Sequence, residues 1–432
     1  MQPRLLLPTT LLGLCTLVSS APAAPQKSLA ECIALALALQ PTLKSAAAAV
    51  EASRERVWQS AANYLPQVTG SASAVRRQTT PGNLTGSSAG GHSQTFNFYS
   101  TGVSLSQVLF DFGQTLAQIH AAQNNAASAA ADADTQRDTV VFDVAQAYYG
   151  LLAAYHLRDV AEDAVAQNQQ HLDVAQGRLD VGLAPRFDVT QAQVQLANAE
   201  LARVTARNNV ALGRETLRNT LGLSGPLDFD PLDVLDQPVV TIDDSEALQR
   251  AYDNRPELRS LQAREAAAAD QIAALEKDYL PKVGSNAGYF WSGARAPLQD
   301  GWNIGASVTV PVFNGGLTTA QVGEAKANLR VLQFTETSLR QNITLEVQQA
   351  TLNIREAVES VRVANKGVEQ ARENLELAEG RYATGVSSII ELTDAQTSLS
   401  RARASRVQAQ VNYRIALAAL NRATAYQFSR DI

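Results

Sequence analysis

The sequence predicts a mainly α-helical chain that also contributes strands to a membrane β-barrel, and one built as a two-fold internal repeat. Three observations lead there. Alanine supplies 72 of the 432 residues while charged residues are only 18%, a balance suited to long, closely packed helices rather than to a mixed α/β enzyme. Proline is absent between Pro81 and Pro185 and again after Pro311, which leaves two very long stretches free to stay helical. Short motifs then recur at fixed offsets along the chain. The formal net charge of −6 excludes a general nucleic-acid binder, which carries a basic face.

Residues 1–23 read as a cleaved signal peptide. Arg4 opens it, Leu5 to Val18 form a mostly apolar run, and Ala21-Pro22-Ala23 offers small residues for cleavage after Ala23. The run is too short to span a bilayer. Leu14 precedes Cys15 where lipidation wants a small residue, so Cys32 is the one cysteine expected in the mature chain, as a small buried side chain. Neither a disulfide scaffold nor a zinc site is expected, and no metal or cofactor.

Tyr64-Leu65-Pro66-Gln67-Val68 recurs as Tyr279-Leu280-Pro281-Lys282-Val283, at an offset of 215. Farther on the offset is 203: Phe110-Asp111-Phe112-Gly113 matches Phe313-Asn314-Gly315-Gly316, and Gly177-Arg178 matches Gly380-Arg381. The lost residues fall in a Gly/Ser-rich loop of the first copy between Thr79 and Gly91. The copies are placed at residues 28–223 and 243–426, joined by an acidic linker, 224–242, with Pro226, Pro231 and Pro238.

Each copy is expected to hold two long helices, at about 112–184 and 187–222 and at about 314–384 and 388–424. A helix from Phe112 to Ala184 would be roughly 110 Å long at about 1.5 Å per residue, too long for a compact domain. Ile343, Val347, Ala350, Ile354, Ala357 and Val361 alternate in steps of four and three, a coiled-coil seam continued to Ala378. Val140 to Ala175 repeats it, with Arg158 and Asn168 as polar breaks expected near water or a partner. Leu392, Ala395, Leu399 and the positions up to Ala423 form the returning seam, mirrored by Val189 to Ala206. Each copy is thus an antiparallel hairpin whose tip lies near Gly182 or Gly385, a residue type suited to a left-handed helix C-cap.

The strands are expected within 65–110 and 281–313. Trp302, Ile304, Ala306, Val308, Val310 and Val312 alternate with small or polar residues, and Thr101, Val103, Leu105 and Leu109 do so with Gln107 interrupting. The lengths fit membrane-spanning strands of about 9–11 residues. Aromatics near the ends, among them Tyr99, Phe110, Tyr289, Trp291 and Phe313, resemble an interfacial girdle. A soluble two-faced sheet alternates in the same way. In lipid, four strands from one chain leave open edges, so the barrel must be shared, and three chains would supply twelve strands.

With the YLP segment opening each hairpin, the LFDFG stretch from Leu109 to Gly113 and the duplicated tips Arg178-Leu179-Asp180-Val181-Gly182-Leu183 and Arg381-Tyr382-Ala383-Thr384-Gly385-Val386, nearly the whole mature chain resembles the TolC-like outer-membrane factor family. The resemblance implies a homotrimer in the outer membrane of a Gram-negative bacterium. Its barrel would have twelve strands, and its helical hairpins would form a tunnel through the periplasm. It implies a passive duct that docks a periplasmic adaptor and an inner-membrane RND or ABC transporter. On this basis Arg178, Val181, Gly182, Leu183, Arg381, Thr384, Gly385 and Val386 are the expected adaptor-docking residues. Asp188, Tyr382, Glu391 and Asp394 are the expected periplasmic gate, with Ser387 where some members carry arginine. Glu391 and Asp394, three apart on one helix face, would project two carboxylate rings toward the axis. Like charges about 4 Å apart repel by roughly 1 kcal/mol in water and about 4 kcal/mol at an effective dielectric of 20, so such rings attract cations.

Two biological roles fit the duct: an efflux system for small molecules, or the outer-membrane component of type I protein secretion. A coiled-coil envelope scaffold without a channel is a remote alternative. No nucleophile motif and no phosphate-binding glycine loop supports an enzyme.

Overall fold

The structure, a computed structural model, describes residues 25–79, 94–235 and 246–425. The expected signal peptide, the tip of the long Gly/Ser-rich loop and the start expected for the second copy at 243 lie outside those residues. A two-residue strand β1 (Gln26–Lys27) leads into α1 (Leu29–Leu39) and α2 (Pro41–Ala61), then β2 (Gln67–Thr79) and β3 (Gln94–Phe110). Next come α3 (Gln114–Asp180), α4 (Arg186–Thr220) and the two-residue β4 (Asp230–Pro231). The second half runs α5 (Ala247–Asn254), α6 (Pro256–Glu276), β5 (Lys282–Gly293), β6 (Gln299–Thr309), α7 (Leu317–Ala383) and α8 (Ile389–Ala423). Helices α3 and α7 each have 67 residues, and α4 and α8 each have 35.

At about 1.5 Å per residue α3 and α7 are each about 100 Å long. Toward the strands they pack beside α2 and α6, in the row α2–α3–α6–α7. Toward the tips they pack beside α4 and α8, in the row α4–α3–α8–α7. The seams fill as the heptad pattern requires. Ile343, Val347, Ala350, Ile354, Ala357 and Val361 are buried against Ala409, Tyr413, Ala416 and Leu420 of α8. Alanine at alternate seam positions lets the backbones close up. Of the polar breaks, Arg158 is half-exposed, paired with Asp159 at 2.6 Å and stacked on Tyr155, while Asn168 is half-buried and its amide donates to the Ala164 carbonyl of its own helix.

The strands form one antiparallel meander in the order β2-β3-β5-β6. Its register puts Gly70, Val103, Tyr289 and Trp302 in one row, with Ala287 and Ile304 in the next, on a single apolar face. The opposite face carries Ser71, Gly102, Phe290 and Gly301, and Ser73 and Ser100 share a hydrogen bond of 2.8 Å there. Trp302 and Ile304 are more than two-thirds exposed. Gln107, the break in the apolar alternation, donates its amide to the Tyr64 carbonyl at the sheet's helical end. Strand β6 stops at Thr309, short of the alternation through Val312, because Pro311, and Pro281 in register opposite Val310, have no N–H for the ladder.

Sheet passes to helix through the same turn twice. Phe112 and Gly113 both have left-handed backbones (φ 55° and 78°), as do Gly315 and Gly316 (φ 67° and 81°). Phe112 holds this conformation without glycine's freedom, beside the ring of Phe110 at 4.6 Å. Asp111 is buried under the turn. Its carboxylate accepts from the Gly113 and Thr115 backbones at 3.0 and 2.8 Å, from the Thr115 hydroxyl and from Tyr64. Burial pushes the Asp111 carboxyl up, but these hydrogen bonds outweigh it and leave it below its ordinary value.

The described part of the linker, up to Leu235, is anchored rather than loose. Asp230 and Pro231 pair in parallel with Gln26 and Lys27. Tyr148 donates to the Leu232 and Lys27 carbonyls, Arg214 binds Asp230 and the Leu227 carbonyl, and Arg414 of α8 reaches the Val234 carbonyl at 2.8 Å. Beneath this strap Cys32 is fully buried, and burial pushes its thiol up to about 12, which makes it inert.

Candidate functional site

The two hairpin tips are built alike. Helix α3 ends with Gly182 at φ 75°, the Gly182 N–H on the Leu179 carbonyl (2.9 Å) and the Leu183 N–H on the Arg178 carbonyl (2.8 Å). Helix α7 ends with Gly385 at φ 78°, the Gly385 N–H on the Tyr382 carbonyl and the Val386 N–H on the Arg381 carbonyl, both 3.0 Å. Each is a Schellman cap, in which a left-handed glycine lets two otherwise orphaned carbonyls be satisfied. The turns hold Val181, Leu183 and Val386 mostly in solvent and leave Thr384 exposed. These apolar groups at the far end of the rod stand free of any core among the described residues.

An arginine sits at the same place in both caps, with different side-chain partners. Arg178 crosses to the other tip: Nη1 donates to the Tyr382 carbonyl at 2.7 Å, and the guanidinium lies 4.7 Å from the centre of the Tyr382 ring. Arg381 stays on its own hairpin, paired with Glu391 at 3.0 Å. Ser388 caps α8 by accepting the Glu391 N–H at 3.4 Å. Asp394 is exposed one turn on.

Tyr382 is buried with Leu375, Ala378, Ile389, Leu392, Ala395 and Leu399. Burial, then the nearby Asp188 carboxylate, pushes its hydroxyl up, and Arg178 opposes the shift. Among the described residues that hydroxyl has no hydrogen-bond partner, and neither has the buried Ser387 hydroxyl. A buried donor left unpaired costs about 1–3 kcal/mol. The expected gate residues therefore share one end of the rod, with Asp188 near Tyr382 but not bonded to it. Sequence reasoning missed two contacts, Arg178 on Tyr382 and Arg381 on Glu391. Their signal is the duplicated arginine two residues before the last helical position of each tip, Asp180 or Ala383.

The chain thus joins an open sheet with an exposed apolar face at one end to capped helical hairpins about 100 Å away, the make-up of a membrane protein with a long helical extension. Comparison with known proteins specifies which. The outer membrane efflux protein family matches residues 32–223 and 247–425, and the chain belongs to that family; it is a transport protein rather than an enzyme. Among curated relatives, outer membrane efflux protein BepC of Brucella suis is 27% identical over 88% of this chain and 82% of its own. The outer membrane protein TolC of Vibrio cholerae is 26% identical over 94% of this chain and 92% of its own. The solved Campylobacter jejuni CmeC outer membrane channel shares the fold, with a TM-score of 0.81 and 19% identity over 98% of this chain and 94% of that one.

Proposed function

We propose that three copies of this chain close a twelve-stranded barrel in the outer membrane and a helical tunnel below it. The assembly is the passive exit duct of a tripartite efflux system. The observation that carries this reading is the sheet. Among the described residues strands β2 and β6 end it with unpaired edges, while one face carries Trp302, Ile304 and Val308 into the surroundings. In lipid an unsatisfied edge costs several kcal/mol per polar group, so the sheet must meet other copies. The relatives agree in kind, since BepC is named an efflux protein and SepC of Pseudomonas putida a probable efflux pump outer membrane protein.

In this reading the tip end is the periplasmic entrance. Glu391 and Asp394 of three copies ring the axis, and Asp188 and Tyr382 complete the closure once copies stand side by side. Arg178, Val181, Gly182, Leu183, Arg381, Thr384, Gly385 and Val386 form the cogs that meet the adaptor of an inner-membrane RND or ABC transporter. The exposed apolar groups at each cog are the natural contact surface, since apolar atoms held in water gain most by being covered.

The test is site-specific photo-crosslinking in intact cells from Leu183 and Val386. The left-handed Gly182 and Gly385 are poor sites, because any side chain there strains the cap. Capture of an adaptor from either position is the expected result, and the adaptor's own pump then tells drug efflux from protein secretion. No adaptor from either position, in a protein still assembled in the outer membrane, would remove the docking assignment.

A further inference from the structure

Two apolar stripes on the tunnel helices lie bare in the single chain. Helix α4 exposes Val204 and Leu212, and α7 exposes Leu345, Leu352 and Val363, each by more than half. These helices are the two ends of the row α4–α3–α8–α7. The halves of the chain run in step, with α3 and α7, and likewise α4 and α8, beginning and ending 203 residues apart. Each bare residue therefore has a counterpart on α8 or α3, and the counterparts are covered. Val407 and Tyr149 are buried, Phe142 and Ile415 pack against the same core, and Val160 is half-buried. The faces of α4 and α7 thus repeat an interface that α8 and α3 make within the chain and that no described residue of this chain completes.

The polar contacts of that inner interface carry the comparison to single residues. Arg403 of α8 pairs with Asp163 of α3 at 3.3 Å. Their counterparts at the same offset are Glu200 on α4 and Lys366 on α7: the charges are complementary again, with the polarity reversed. Gln396 of α8 donates to Gln167 of α3 at 3.3 Å, and their counterparts are Gln193 and Gln370. Among the described residues Glu200 has only a long contact of 3.9 Å with Arg203 of its own helix, and Lys366 is exposed.

We propose that the α4 face of one copy packs on the α7 face of a second copy as α8 packs on α3 within the chain, and that Glu200 pairs there with Lys366 of the partner subunit. The inference rests on the assembled-duct reading and names the residues that join its copies. The reversed polarity gives each face one mate. Glu200 on α4 repels Asp163 on α3, and Lys366 on α7 repels Arg403 on α8, so hairpins that exchange places meet like charge. A ring that alternates inner and inter-copy interfaces then closes in one order only.

The experiment uses the full chain in the outer membrane. Glu200→Cys with Lys366→Cys, treated with a short bifunctional thiol reagent, is expected to give covalent dimers and trimers. Asp163→Cys with Arg403→Cys is expected to give only internally linked monomer. In parallel, Glu200→Lys and Lys366→Glu each lower the temperature at which the oligomer falls apart on a gel, and the double reversal restores it. An intact oligomer with no covalent ladder, or a double reversal no better than the two losses added together, would overturn the pairing while leaving the duct. A wild-type chain that is monomeric in the membrane would overturn the duct reading itself.

Discussion

Replacing Arg178 by alanine removes the one described hydrogen bond that joins the two tips of a chain. The cap of α3 survives, because it uses the carbonyl of residue 178 and not its side chain. The loss has two parts. A hydrogen bond from a charged donor contributes about 1.5–3 kcal/mol, and a guanidinium over an aromatic ring about 0.5–1 kcal/mol where water reaches it. Arg178 is half-exposed, so solvent screening takes the sum to about 2 kcal/mol per chain. At about 1.4 kcal/mol per tenfold, the balance between fastened and loosened tips moves by about 30-fold in each chain. The assay is single-channel recording of the purified protein in planar bilayers without adaptor, which separates gating from docking. The expected result is frequent large-conductance openings where the wild type is mostly closed. Arg178→Lys is expected to fall between, since an ammonium keeps the charge but not the planar fork. Closed times and conductance equal to wild type for Arg178→Ala would refute the argument that this contact holds the entrance.

Tyr382→Phe combined with Asp188→Ala is expected to leave a leakier pore in the same recordings, because the variant has neither the buried hydroxyl nor the carboxylate it would meet when the copies assemble; unchanged conductance would count against that closure. Asp111→Asn is expected to cost about 1–3 kcal/mol of stability, because an amide nitrogen cannot accept and leaves buried donors that now meet the carboxylate unpaired, read as a lower midpoint of thermal unfolding in detergent. Because the Asp111 carboxyl is held below its ordinary 3.8, its contribution is complete above that value and disappears as pH falls through the lowered pKa, so the gap between variant and wild type closes in acid. Asp138→Asn is expected to act in the opposite direction. Burial, then Glu257 and Asp134, push the Asp138 carboxyl up, so its ionised form destabilises the native chain, and the variant melts higher at pH 7 with the advantage gone below about pH 4.

The long-range architecture is legible in the sequence because it is periodic. The seam from Ile343 to Ala378 announces a hairpin at every turn, and the alternation from Trp302 to Val308 announces a two-faced strand. What periodicity cannot reach is a contact between distant turns. Arg178 and Tyr382 are 204 positions apart, and their meeting depends on where two left-handed caps leave an arginine and a carbonyl. The ion pair of Arg381 with Glu391 spans a turn whose path no hydrophobic pattern encodes. The anchored linker escapes for the same reason: prolines and acidic residues read as a spacer, while Tyr148, Arg214 and Arg414 bind its backbone from three separate helices. The end of β6 lies between these cases. Its apolar alternation runs through to Val312, but Pro311, and Pro281 in register opposite Val310, decide that the ladder stops.

The two tips share a backbone but not a strength, and this sets a last expectation. The second tip buries Leu375, Ala378, Tyr382, Ile389, Leu392, Ala395 and Leu399, and Ser388 caps its returning helix. The first buries only Ala175, Val189 and Ala192, with Leu172 and Leu179 partly covered, and Pro185 caps α4 with no side-chain hydrogen bond. Local opening follows buried apolar contact, so backbone amides near Gly182 are expected to exchange with solvent faster than those near Gly385. Leu392→Ala, at a fully buried position, is expected to cost about 2–5 kcal/mol and bring the second tip down to the exchange rate of the first. Hydrogen exchange resolved by mass spectrometry reads both tips in one experiment. Equal protection at the two tips in the wild type would mean that contacts between copies, rather than the core of each hairpin, govern how the entrance loosens.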